Sequence, residues 1–274
     1  MALNSAFVIT MVFSQLISVC HSNPICESGH PKDEIPVYKE DIDYVHFAQN
    51  LEFWEAEYFL LATYGHGLDV MAPYLTKGGP PPIGAQKSNL DALTHNIIVE
   101  FGNEEIGHLR AIDSLMGSIP RPLLNLTPEN IGKIFDAAFE YKLEPPFDPY
   151  RDSLSYMLSC YIIPYVGMTG YVGINPNLKG YDSKHRVIYI WPIYVVTFFI
   201  FFKSHLMEGL LGTESKQDAA IHMYIYDRAN EVIHPYGHLV TDFTARISKL
   251  RNRLGKYKIK DEGIIVPYEH GDEN

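Results

Sequence analysis

Apolar residues recur at three- and four-residue steps through most of the chain from residue 41 to residue 254, and loops rich in proline and glycine separate the segments so marked. Signals for strands are scarce, so the pattern predicts an all-α protein. A first long helix is expected from Asp41 to Gly65, with Tyr44, Phe47, Leu51, Tyr58 and Ala62 on its inward face. The loop TKGGPPPIGAQKSN follows. A second helix is predicted to start at a capping Asp91 and stop at Gly117, with Ile97, Phe101, Ile112 and Leu115 turned inward. Thr127 as cap and Pro128 in the first turn predict a short helix through Phe139, which EPPFDPYRD ends. The third long helix, Ser153 to about Gly173, is almost uncharged and therefore expected to be buried on all sides. A fourth runs from Leu206 to Asn230 on Met207, Leu210, Leu211, Ile221 and Ile225. A fifth, Gly237 to Leu254, carries Leu239, Phe243, Ile247 and Leu250. Its basic KLRNRLG end suits a helix C-terminus, where cations meet the negative end of the dipole. Residues 255–274 read as an acidic tail.

Two stretches break this periodicity. FVITMVFSQLISVC (Phe7 to Cys20) is an apolar run of secretory h-region length, so residues 1–22 read as a signal peptide and 23–40 as a polar leader. An N-terminal membrane anchor is the alternative. RVIYIWPIYVVTFFIFFK (Arg186 to Lys203) is a little short for a spanning helix and is rich in residues that favour strands. A membrane crossing there would place the third and fourth helices on opposite sides of a bilayer and keep the core from closing. The leading reading of residues 186–203 is translated sequence foreign to the native protein; a membrane span and a buried insert are the others.

Composition sharpens the class. With 274 residues, 46% apolar and 20% charged, the chain can bury one sizeable core. A net charge of −11 and no basic cluster argue against a grip on nucleic acid or anionic lipid. Removal of a leader that includes Cys20 would leave Cys26 and Cys160, either paired or free.

The chemistry lies in acidic residues on the helices' apolar stripes. Turning each helix by about 100° per residue points Glu55 inward between Leu51 and Tyr58, with Glu57 facing away and Glu52 at the edge. Glu105 and His108, in EFGNEEIGHLRAI, share the stripe of Phe101 and Ile112. Glu214 is centred between Leu210 and Ile221, flanked by Gln217 and Asp218. Three helices thus aim a carboxylate at a common interior. Burying an unpaired carboxylate costs several kcal/mol, so these groups need shared protons, tyrosine hydroxyls or cations. Glu-x-x-His with further inward Glu residues is the donor set of carboxylate-bridged iron or manganese centres. By contrast, a lone Glu-x-x-His is common on solvated helix faces. His66, His234 and His238 sit at predicted helix ends and are read as solvated or capping groups.

DIDYVHFAQNLEFWEAEYFL, GGPPPIGAQKSNLD, EEIGHLRAI, PPFDPY, YIIPYVGMTGYVG, EGLLGTESKQDA and DEGIIVP closely resemble the plant desiccation-related proteins of the ferritin-like superfamily. The resemblance covers about Asp41 to Pro267, apart from the apolar insert. It implies a ferritin-like four-helix bundle with an additional C-terminal helix, a secreted or cell-wall protein, and a link to water-deficit stress. Carried over position by position, Glu55, Glu105, His108 and Glu214 match the metal-binding pattern of the superfamily. The third-helix Glu of related bacterial proteins falls at Pro164, and the partner of Glu214 is Gln217 rather than His. Such a degenerate set implies at most one iron or manganese ion, with Glu52, Gln217 or Asp218 as additional ligands.

Two functions follow. The first is a non-catalytic protective protein of the extracellular space. The second is an iron- or manganese-binding oxidase, or a metalloprotein that removes reactive oxygen species. A sugar- or cell-wall-binding module rests on tyrosine content alone, and those tyrosines suit interhelical packing equally well. No nucleic acid and no stable membrane span is expected; other partners are left open.

Overall fold

The computed structural model describes residues 38–179, 206–256 and 261–266. The leader (1–22), the apolar insert (186–203) and most of the acidic tail lie outside them. Helix α1 spans Lys39–Tyr64 and ends on Gly65, whose φ of +78° is a left-handed C-terminal conformation that suits glycine. A single helical turn, Leu68–Met71, follows. Helix α2, Ala92–Met116, begins where Asp91 accepts hydrogen bonds from the Leu93 and Thr94 amides. Helix α3, Pro128–Phe139, starts from Thr127, whose hydroxyl accepts from Asn130 N. Both caps were legible in the sequence.

The predicted third long helix is broken in two. Helix α4 covers Ser153–Cys160 and α5 covers Pro164–Ile174. Proline has no amide hydrogen and clashes with the preceding turn, so the α-helix gives way at Tyr161–Ile163 and restarts with Pro164 in its first turn. Nor is the pair buried on all sides: Val166 and Val172 are exposed. Helix α6, Leu206–Tyr226, stops short of the predicted Asn230. A small antiparallel hairpin, β1 (Val232–Ile233) with β2 (His238–Leu239), leads into α7, Val240–Gly255.

Helices α1, α2, α4–α5 and α6 pack as four rods around one interior, and α7 packs on α3 beside them. Gly102 lets α2 approach α1 closely; a methyl group there would sit 3.0 Å from Leu60 Cδ2. Of the residues expected to face inward, Phe101, Ile112, Leu210, Ile221, Phe243 and Ile247 are buried. Tyr44 and Phe47 are exposed instead, Phe47 by 76%, and so is Leu115. The buried stripe of the first half of α1 runs through Asp41, Val45, Gln49 and Glu52. Polar contacts make that possible: Lys179 N donates to Asp41 Oδ1 at 2.9 Å, and Gln49 bridges to Ser118 and Ile119.

Among the described residues, Ser153–Asn177 is the one helical stretch long and apolar enough to cross a membrane by length and composition, and half of its most apolar window is buried in the fold. Cys160 within it is a buried free thiol, and Cys26 lies outside the described residues.

Candidate metal centre

Glu57 is the clearest correction to the sequence reading. It does not face solvent. It is fully buried, pairs with the buried Arg121 and accepts from Leu68 N. Arg121 also donates to Asp69 Oδ1 (2.9 Å), Pro80 O (2.8 Å) and Gly79 O (3.2 Å). The glycine- and proline-rich loops after α1 and α2 therefore fold back over this helix face and are tied to it by one guanidinium. Helical periodicity cannot reveal a cover supplied by loops.

The opposite face of α1 carries the site. Glu52, expected at an edge, is fully buried, as are Glu55, Glu105, Glu214 and Gln217; His108 is 7% exposed. Ligand atoms of Glu52, Glu105, His108 and Glu214 all lie within 4.8 Å of one another. His108 Nδ1 stands 2.8 Å from Glu52 Oε2 and 3.0 Å from Glu105 Oε2. The three-residue spacing on α2 puts Glu105 and His108 on one face one turn apart, which is what allows this contact. Gln217 Nε2 donates to Glu105 Oε1 at 2.6 Å and to Glu104 Oε2 at 3.3 Å. The Tyr171 hydroxyl on α5 donates to Glu52 Oε1. Glu55 belongs to the same interior: Glu214, Glu105 and Glu52 all raise the electrostatic cost of charging it. Asp218 is half-buried and stands outside the four-residue cluster; His66, His234 and His238 are outside it as well.

Several atoms in this dry interior lack a hydrogen-bond partner: both oxygens of Glu55 and of Glu214, His108 Nε2 and Gln217 Oε1. Buried polar atoms are ordinarily paired. Oxygen and imidazole donors that converge and are left unsatisfied fit a hard or borderline cation such as iron or manganese. The arrangement also departs from a full two-ion donor set. The α5 residue against Glu214 is Gly167, three residues after Pro164 and without a side chain to offer; a methyl group at Gly167 would meet Glu214 Oε2 at 2.7 Å.

Burial governs the electrostatics. It pushes Glu55 and Glu214 well above the usual carboxylate range, reinforced by repulsion among the neighbouring acids. Burial also pushes Glu52 up to about 7, against the attraction of His108. Burial disfavours charge on His108 too, but Glu105 and Glu52 outweigh it and push the imidazole up to about 12. At Glu105 burial is outweighed by His108 and by hydrogen bonds, so that carboxyl is held below its ordinary value. Without a cation, then, Glu105 and His108 favour their charged forms as a pair, and burial holds Glu52, Glu55 and Glu214 towards their neutral forms.

The sign of the pH dependence follows. A carboxyl whose pKa rises on folding stabilises the fold below its unfolded value and loses that contribution as pH climbs through the folded value. His108, also raised, adds to the loss above its unfolded value, whereas Glu105 acts only on the acid side. Metal-free protein is therefore expected to be most stable near pH 5 and to weaken by a few kcal/mol, in rough terms, towards pH 8. Chemical denaturation in the presence of a chelator measures this, and a stability that rises over the same interval would contradict it.

A ferritin-like domain model matches residues 40–193, which includes α1, the Glu105–His108 pair and the α4–α5 rod. The chain belongs to the ferritin-like family. This ferritin-like chain is 52% identical over 272 residues to the ferritin-like catalase Nec2 of Nesocodon mauritianus, covering 99% of the chain and 81% of that protein. It is 41% identical over 273 residues to the desiccation-related protein PCC13-62 of Craterostigma plantagineum, covering all of the chain and 80% of that protein. No solved structure matches it. The resemblance to desiccation-related proteins read from the motifs thus holds, and a relative named as a catalase stands beside it.

Proposed function

We propose that this chain is a desiccation-related ferritin-like protein that binds one iron or manganese ion in the bundle interior and uses it to dispose of hydrogen peroxide. The observation that carries the proposal is the set of buried, unpartnered donors on Glu55, Glu214 and His108 beside Glu52 and Glu105. Glu55, Glu105, His108 and Glu214 are the proposed ligands, with Glu52 and Gln217 close by. A bound ion of either metal would supply the change of oxidation state that peroxide chemistry needs. Disproportionation is balanced without an outside reductant: one peroxide is reduced to water and another is oxidised to dioxygen. The chain's own contribution is a buried interior, an imidazole held by two carboxylates, and acids that release their protons when a cation takes the proton's place. The name of the 52%-identical relative supports this reaction class.

The second reading is a protective protein without turnover. It is favoured by Gly167 where a carboxylate would complete a two-ion site, and by Gln217 in place of a histidine. In both readings the protein is proposed to act outside the cell or in the cell wall, on the strength of the apolar run Phe7 to Cys20. The readings part on one assay. Full-length protein loaded with manganese or iron is expected to evolve dioxygen from hydrogen peroxide, and chelated protein is not. Stoichiometric metal without dioxygen evolution would favour the protective reading.

A further inference from the structure

The proposed centre draws nothing from α5 that resembles a ligand, yet α5 touches it at two positions one turn apart. Gly167 leaves space for the Glu214 carboxylate, and Tyr171, 1% exposed, places its phenol on Glu52 Oε1. Glu52 Oε2 faces His108 Nδ1 at 2.8 Å. Both oxygens of Glu52 are thus engaged, unlike those of Glu55 and Glu214, which have no partner. A carboxylate held on one side by a phenol and on the other by an imidazole cannot rotate freely, and it fixes the ring plane of the histidine in turn. His108 Nε2, buried and with no partner of its own, is the ring nitrogen left available to a cation.

We infer that Tyr171 is a positioning residue of this centre: its hydroxyl locks Glu52, Glu52 orients His108, and α5 thereby contributes a phenol–carboxylate–imidazole relay in place of the missing acidic ligand. The inference rests on the metal-binding reading above. Partners behind a ligand are worth about ten- to a hundredfold in metal affinity, because they hold the donor in its productive orientation. Gly167 belongs to the same arrangement, since any larger side chain would drive Glu214 away from the centre.

The test is a double-variant cycle on the full chain, read by competitive manganese titration against a chelator and by the electron paramagnetic resonance spectrum of bound manganese(II). Tyr171→Phe keeps the buried ring and removes only the hydroxyl. It is expected to weaken manganese binding by about tenfold to a hundredfold and to alter the spectrum. Glu52→Gln is expected to weaken binding as well, and Tyr171→Phe added to it should cost nothing further, because the phenol acts through Glu52. Glu52→Asp, which withdraws the carboxylate by one methylene and leaves Tyr171 in place, provides an independent reading and should weaken binding in the same way. Three results overturn the inference: affinity of Tyr171→Phe within twofold of the unaltered chain, equal losses from Tyr171→Phe with and without Glu52→Gln, or unchanged affinity in Glu52→Asp. Unaltered protein that takes up no manganese or iron would overturn the metal-binding reading itself, and this inference with it.

Discussion

Arg121→Ala is expected to destabilise the protein by about 3 to 5 kcal/mol, the usual consequence of leaving one partner of a buried ion pair without the other. The guanidinium is enclosed and bonds Glu57, Asp69 and two backbone carbonyls, at Gly79 and Pro80. Removing it leaves the Glu57 carboxylate inside the fold with only the Leu68 amide, and it unties the loops that cover this face of α1. Glu57 is already held above its ordinary pKa, since burial exceeds the attraction of Arg121. In the variant it should take up a proton, so part of the lost stability should return at acid pH. Urea unfolding at neutral pH measures the change. A loss under 1 kcal/mol would mean that the loops hold without this clasp. Because Glu57 lies on the side of α1 away from the cluster, metal content per folded molecule should stay unchanged.

The largest expected effect on the site comes from Glu105→Ala. Glu105 is the residue through which its parts are joined: it contacts His108 Nδ1 at 3.0 Å and accepts from Gln217 Nε2 at 2.6 Å. It is also the carboxyl held low, and so the one already charged before any cation arrives. Its removal deletes a donor and frees the imidazole and the amide together. The loss of metal affinity should therefore exceed the roughly hundredfold upper range seen when a ligand's outer partner is lost. Metal analysis after gel filtration should find less than one-tenth of the wild-type content. Full metal content in this variant would remove Glu105 from the ligand set.

Much of this fold can be read from the residues. Asp91 and Thr127 announce helix starts by their side-chain chemistry, and Gly65 and Gly117 mark ends because helices commonly terminate in a positive-φ residue. The inward positions of Glu55, Glu105, His108 and Glu214 follow from helical periodicity. Periodicity fails where burial depends on something outside the helix. Glu57 is covered by loops far along the chain, and Glu52 is drawn fully inside by His108 and Tyr171, contacts 56 and 119 residues away in sequence. Tyr44 and Phe47 fail in the opposite sense. Their apolar character suggests an inward face, but Asp41 and Gln49 hold that face by hydrogen bonds to distant loops. The hairpin at 232–239 was missed because two-residue strands give no alternating pattern. The break before Pro164 was signalled by the proline itself. That Gly167 meets Glu214 depends on how α5 restarts and shows only in three dimensions.

The central claim is that acidic side chains from three helices and one imidazole form a single cation site. Anomalous difference maps from crystals of the full chain, collected on either side of the manganese and iron absorption edges, test it directly. The account predicts one peak beside Glu105, His108 and Glu214, within ligand distance of at least three of Glu55, Glu105, His108 and Glu214, with Glu52 close by. Metal-loaded crystals with no peak in that interior, or with the peak at a surface site and the four side chains unchanged, would contradict it.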